Sequence, residues 1–413
     1  MIHGRNKTSL PLTLTDAFGR VRVSNPVTLF DSQQQYDTLA NLFFYEKTVG
    51  SATITHLPNE SSSNLNVTTA SGDRAVRQSR QYIRYQPGKS QLVMMTNTFD
   101  SGQVNTEQYF GYGDDDNGFF IVEENGTVSL RKRTKITGSV VDTDTPQSGW
   151  NIDKLDGTGP SGLTLDATKA EIFYIDMEWL GVGDVVAGIV IGRTIYPVHQ
   201  FRHANVLDSV YITTANLPVR WEIRNKAAVS SSKSMKSVCC TVISEGGFEE
   251  TRGVPVCASN GITPIAVDGG TTPVPIIAIR PKETFNSIVN RGQIIPSGVS
   301  ALAQTEIVHC TVLWNPTITG GSWVSAHADS IVEYNVTMTS ISDGLPVNAF
   351  DVPAAQQGGG SPNNPGTDST NLLGRLPLTL DIDGANPAAL ALTALEYTGA
   401  ATVSGTIFWN ETR

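Results

Sequence analysis

Alternation with a period of two constrains this chain more than any other feature. In AEIFYIDMEWL (Ala170–Leu180), Phe173, Ile175, Met177 and Trp179 fall on one side of an extended backbone. Tyr174, Asp176 and Glu178 fall on the other, which predicts a half-buried strand. Shorter runs of the same kind recur at Gln91–Thr98, Phe119–Glu123, Thr127–Arg131, Val185–Ile195, Val210–Thr213 and Val219–Arg224. Further on they recur at Ile276–Ile279, Ile307–Trp314, Ile331–Met338, Leu376–Leu380, Leu390–Tyr397 and Ala401–Trp409. Gly, Pro, Asn and Asp separate them, the residues that turns require. Asn125-Gly126 predicts a tight hairpin, and Asp114–Gly118 a second turn. Asn386-Pro387 suits a helix start, but Leu390 and Leu392 also suit a strand; the preferred reading is a C-terminal hairpin turning near Gly399.

Many short strands with turn punctuation predict an all-β chain of two β-sandwich, jelly-roll-like domains. Residues 1–26 read as an extended N-terminal arm, 27–250 as the first sandwich and 251–413 as the second. The boundary falls in the Gly-rich stretch Glu245–Asn260, and 353–371 reads as a Gly/Pro/Asn-rich loop.

Composition removes several classes. Charged residues make up 16% of the 413, against about 25% in average domains, which argues against a coiled coil. Apolar residues spread along the chain argue against extensive disorder. The formal charge of −10 disfavours nucleic-acid binding. Apolar runs stay below the ~20 residues of a membrane helix, so no membrane insertion is expected. The opening MIHGRNKTSLPLTLTDAFGR lacks the apolar core of a signal peptide, so synthesis in a cytoplasm is expected. Cys239, Cys240, Cys257 and Cys310 lack zinc-ligand spacing and read as buried free thiols.

Five strings, in order, resemble virion structural proteins of tailed bacteriophages of the aquatic or cyanophage type. They are DAFGRVRVSNPVTLFDSQ (Asp16–Gln33), ASGDRAVRQSRQYIRYQPGKS (Ala70–Ser90) and WNIDKLDGTGPSGLTLD (Trp150–Asp166), followed by IDMEWLGVG (Ile175–Gly183) and FRHANVLDSVYITTANLPVRWEI (Phe201–Ile223). The resemblance implies a non-enzymatic particle component, on the virion exterior as a tail, fibre, appendage or capsid-surface protein. It also implies repeated subunit contacts, with a homo-oligomer (a trimer by family habit) and other virion proteins as partners. The first domain resembles a concanavalin-type jelly roll, the fold of many lectins and laminarinase-like glycosidases. Two alternatives follow: a glycan-binding module that recognises a host surface, and a glycosidase.

The glycosidase reading rests on Asp176 and Glu178. Carboxylates at i and i+2 of a strand share a face with Cα atoms about 6.5–7 Å apart, and retaining glycosidases use two carboxyl groups about 5–5.5 Å apart. Laminarinase-like enzymes carry a Glu-x-Asp-x-x-Glu run. Here Tyr174 occupies the first Glu position, which speaks against catalysis. Gly157–Gly162 matches GxGxxG, but Pro160 and the following Leu163-Thr164-Leu165 favour a tight loop over a dinucleotide fingerprint. Arg74, Arg77, Arg80 and Arg84, interleaved with Tyr82 and Tyr85, form the densest basic stretch; Arg131 and Arg133 form another. Both read as subunit or glycan contacts. Asp114 and Asp116 are a weak calcium candidate, with Phe119 and Asn125 at positions where an EF-hand needs Gly and Glu. His199 and His203 lack a third ligand in view. No metal and no cofactor is expected. The six tryptophans read mostly as core.

Overall fold

The computed structural model describes residues 25–40, 42–249, 253–268, 270–354 and 376–413. The expected arm, but for Asn25 and Pro26, and most of the expected loop at 353–371 lie outside the described residues. The chain is all-β. Fifteen strands build the first half: β1 (Val27–Ser32), β2 (Phe44–Val49), β3 (Thr53–Leu57), β4 (Ser62–Val67) and β5 (Arg74–Ser79). Then come β6 (Gln91–Thr98), β7 (Thr106–Gly113), β8 (Gly118–Glu124), β9 (Thr127–Thr134) and β10 (Val141–Pro146). The last five are β11 (Glu171–Met177), β12 (Val185–Ile191), β13 (Thr194–Phe201), β14 (Val219–Asn225) and β15 (Lys233–Ser244).

These strands form two sheets. The first has the order β13-β12-β11-β6-β15-β4-β3, with β1 also beside β15. The second has the order β10-β9-β8-β7-β14-β5-β2. Alternation decides which side chains meet between them. Phe173, Ile175 and Met177 of β11 face the core, as do Phe110 of β7 and Trp221 of β14. Phe110 and Phe173 meet across the sandwich edge to face at 5.2 Å. Each such buried aromatic or aliphatic side chain contributes about 1.5–3 kcal/mol of transfer free energy. Asn125 and Gly126 both have positive φ, 55° and 79°, the conformation of the two-residue hairpin turn joining β8 to β9.

The second half forms another sandwich. One sheet runs 324–325, 332–335, 274–281, 390–396, 308–314 and 345–352 across its width. The other is built on the long strand Ala401–Thr412, flanked by Gln293–Ala303 on one edge and by Val254–Ser259 and Ile265–Val267 on the other. Ile277, Leu392, Val403 and Trp409 fill the space between.

Several expectations need correction. Leu390–Glu396 and Ala401–Thr412 do not pair as a hairpin, because the chain crosses near Gly399 from one sheet to the other. Val210–Thr213 is loop: Tyr211 and Ile212 are apolar because they plug the core, without strand pairing. Leu376–Leu380 makes only isolated bridges, Leu378 to Ile294 and Leu380 to Pro387. Cys240 and Cys310 are buried thiols, but Cys257 is exposed and Cys239 only partly covered.

Candidate functional site

The outer face of the first sheet carries the carboxylate pair singled out by sequence. Inward residues alternate with outward ones, so β11 turns Ile172, Tyr174 and Asp176 away from the core. Register then fixes their neighbours. Asp176 lies opposite Val186 of β12 and Leu92 of β6. Tyr174 lies opposite Gly188 and Met94, and Ile172 opposite Val190, which in turn faces Ile195 of β13. Gly188 is required here: a Cβ on it would stand 2.6 Å from Cε1 of Tyr174, so only glycine lets that ring lie over β12. Tyr174 is thereby buried at 5% exposure, while Ile172 and Ile195 remain 41% and 53% exposed.

Asp176 is therefore an acid set among aliphatic side chains. Its Oδ1 is buried and meets no hydrogen-bond partner among the described residues. Burial, with the nearby carboxylates of Glu245 and Glu178, pushes its carboxyl up to about 6. Burial and the Asp176 charge push the Tyr174 phenol up to about 12. Glu178 is not a strand-mate of Asp176 in the sense expected. β11 ends at Met177, and exposed Glu178 begins the turn to β12, donating its peptide N–H to the Asp184 carbonyl at 3.2 Å. The Tyr211 hydroxyl donates to the Glu178 carbonyl at 3.1 Å. The carboxylate that sequence reasoning missed is Glu245, just beyond β15. It accepts from Ser90 Oγ at 2.8 Å. No spacing rule links position 245 to 176; only the pairing of β15 with β6 and β6 with β11 does.

The outer face of the second sheet holds a group of basic residues with partners within the chain. Arg74 donates Nε to Glu222 at 2.7 Å and Nη2 to Asp115 at 2.9 Å. Arg220, fully buried, pairs with Glu222 at 2.5 Å and Asp115 at 2.8 Å. Arg131 forks onto Asp144 with two bonds of 2.7 Å and reaches Glu107 at 2.9 Å. Arg133 forks onto Asp142 at 2.8 and 2.9 Å. Buried Tyr109 and Phe120 lie beneath these guanidinium groups, with Arg133 at 5.5 and 5.3 Å from the two ring centroids. Burial raises the Glu222 carboxyl, but Arg220 and Arg74 outweigh it and hold the group far below the usual carboxylate range.

Three other arginines are committed as well. Arg77 pairs with Glu46 and stacks on Phe44 at 3.9 Å. Arg80 sits between the two sandwiches, 4.0 Å over Tyr45 of the first and 4.9 Å over Trp314 of the second. Arg84 lies 5.9 Å from the Phe248 ring. Arg74, Arg77, Arg80, Arg84, Arg131 and Arg133, read from sequence as subunit or glycan contacts, all have partners in their own chain. Asp114 and Asp116 bind the chain too. Asp114 Oδ1 accepts from the N–H groups of Asp116 and Asn117 at 2.9 Å, and Asp116 pairs with Lys135 at 2.8 Å. Among the described residues no cluster of three His, Cys, Asp or Glu side chains has metal-holding geometry. His199 accepts from the Asn151 N–H, and His203 stacks on Tyr211 at 3.9 Å; burial lowers both imidazoles. Asp153 closes the Gly157–Gly162 loop by accepting from the Leu155 and Ser161 N–H groups, the tight turn expected there.

No family model and no curated protein matches this chain. Among solved structures, a protein of unknown function from Shewanella oneidensis MR-1 is similar at 10% identity and a TM-score of 0.36, covering 58% of this chain and 94% of that one. The Bacillus licheniformis β-glucanase is similar at 8% identity and 0.33, covering 54% and 99%. A legume lectin-like domain from Entamoeba histolytica is similar at 9% and 0.27, covering 48% and 89%. Likenesses this distant carry nothing about binding or activity to this chain.

Proposed function

We propose that this chain is a non-enzymatic contact protein, a structural subunit that packs in repeated copies on the exterior of a tailed-phage particle. The observation that carries the reading is the outer face of the first sheet: Val186 and Leu92 flank Asp176, and Met94, Ile172, Val190 and Ile195 continue the apolar face along the strands. Ile172 and Ile195 are exposed and the others half-buried, and apolar surface grouped in this way is a place that another surface can cover. Interface cores are depleted in charge, and Asp176, with its carboxyl at about 6, enters such a core by taking up one proton. The five strings resembling virion proteins supply the setting. A catalytic reading fits less well, because Asp176 stands among aliphatic neighbours and Glu178 leaves the strand for a turn.

Sedimentation analysis of the purified chain tests this. Wild type is expected to self-associate, and Ile172→Asp/Ile195→Asp to sediment as a folded monomer. Equal association of both proteins, or a monomeric wild type at every concentration, contradicts the reading. A second reading, recognition of a host glycan, has an observation of its own in the second sandwich: a cavity floored by Trp323 and Arg280.

A further inference from the structure

The cavity lies at one end of the six-stranded sheet of the second sandwich. Its volume is about 230 Å³, and Arg280, Pro316, Ile318, Trp323, Asn386 and Pro387 line it. Drug-sized sites span roughly 300–1,000 Å³, so this one has room for a single ring. Its walls come from five segments: the strand 274–281, the turn after 308–314, the short strand 317–319, the turn before 324–325 that carries Trp323, and the stretch leading into 390–396.

The site is built. The Arg280 guanidinium carbon stands over the Trp323 ring, 4.0 Å from its centroid, and its Nε donates to Glu333 at 2.6 Å. Indole and guanidinium thus form one rigid platform, held in place before any ligand arrives. The turn carrying Trp323 is pinned by Asn335 Nδ2 donating to the Gly320 carbonyl at 3.2 Å, and by the Ser322 N–H donating to Thr337 Oγ1 at 3.1 Å. At the exposed rim, Asn386 Nδ2 donates to Asp381 at 2.5 Å. Its Oδ1 is a further amide acceptor at this exposed position.

The chemistry is specific in kind. Two prolines, an isoleucine and an indole present rigid C–H and π surface. Arg280 supplies further N–H donors, and Asn386 supplies a carbonyl. Glu333 balances the charge of Arg280, and the Asp381 carboxylate at the rim faces the positive charge of Arg291. A ligand that offers one apolar ring face, several hydroxyl groups and no charge meets each of these features. We infer that this cavity binds one neutral pyranose ring, a hexose or N-acetylhexosamine at the end of a surface glycan. This rests on the glycan reading and adds to it a place and a sugar class.

Titration calorimetry of the full chain with methyl glycosides of glucose, galactose, mannose and N-acetylglucosamine tests the inference, with a glycan array beside it. Wild type is expected to bind at least one of the four. Asn386→Ala, at an exposed rim position, is expected to weaken that binding about tenfold, the cost of one lost hydrogen bond to a ligand. Trp323→Ala is expected to abolish it, with thermal unfolding followed to show that the variant folds. Asn386→Ala binding within twofold of wild type, while the array is positive, overturns this site but leaves glycan recognition standing elsewhere on the chain. No binding of wild type to any array glycan overturns both.

Discussion

The two sheets of the first sandwich share one core and carry opposite chemistry on their outer faces. On the second sheet, Arg74 and Arg220 meet Glu222 and Asp115, and Arg131 and Arg133 meet Glu107, Asp144 and Asp142, in two sets of ion pairs around buried Tyr109 and Phe120. On the first sheet, Asp176 stands among aliphatic side chains with an orphaned oxygen. Both faces contain buried carboxylates. In one their charge is matched within the chain, and the face is finished as it stands. In the other, the Asp176 oxygen has no such match among the described residues. On our proposal, it is charge left unmatched amid apolar neighbours, rather than charge as such, that marks the contact surface.

The largest test breaks the finished face. Glu222→Gln leaves Arg74 and Arg220 without their buried counter-charge and is expected to cost about 3–5 kcal/mol in urea unfolding. A loss below about 1 kcal/mol would mean that the ion pairs are no more than surface bridges.

The next test moves the other face in the opposite direction. The Asp176 carboxyl sits at about 6 in the folded chain, against 3.8 for an ordinary aspartate. The folded state therefore holds this proton more tightly, and the charged form is penalised above pH 6. Asp176→Asn is expected to stabilise the chain by about 1–2 kcal/mol at pH 7, after allowance for solvent screening. The gain should fade as pH drops from 6 to below 3.8, where wild type is also neutral. The second sheet shows the reverse sign. The carboxyls of Glu222, Glu107 and Asp142 are held below their ordinary values, so their stabilisation is complete above about pH 4.5 and is lost as pH falls through the folded values. Urea midpoints of wild type and Asp176→Asn from pH 3 to 8 separate the two faces.

The smallest effect sharpens the contrast. Ile195→Thr replaces an exposed apolar residue on the first sheet, and its stability change is expected to stay within about 0.5 kcal/mol. A larger loss would show that this face already packs within its own chain.

The same contrast explains what the sequence made legible. Period-two alternation exposes strands with one apolar side, and β6, β11 and β12 were readable on that ground. β5, RAVRQS, was not, because its arginines look like surface and yet are held by partners such as Glu222, 148 residues from Arg74. Leu390–Glu396 was readable as a strand but not by its partners: it is apolar on both faces at the centre of a sheet, and alternation carries no information on which strand lies beside it. Of the candidate site, Asp176 was visible. Glu245 was not, since it arrives through pairing across β6, and the departure of Glu178 from the strand depends on a turn closed by the Asp184 carbonyl.

Electron cryo-imaging of tailed-phage particles assembled in cells that express this chain tests the central claim most directly. The account predicts density for the chain on the particle exterior, with Ile172, Val190 and Ile195 covered by a neighbouring copy and Asp176 inside the contact. A chain absent from the particles, or present there with this face open to solvent, contradicts it.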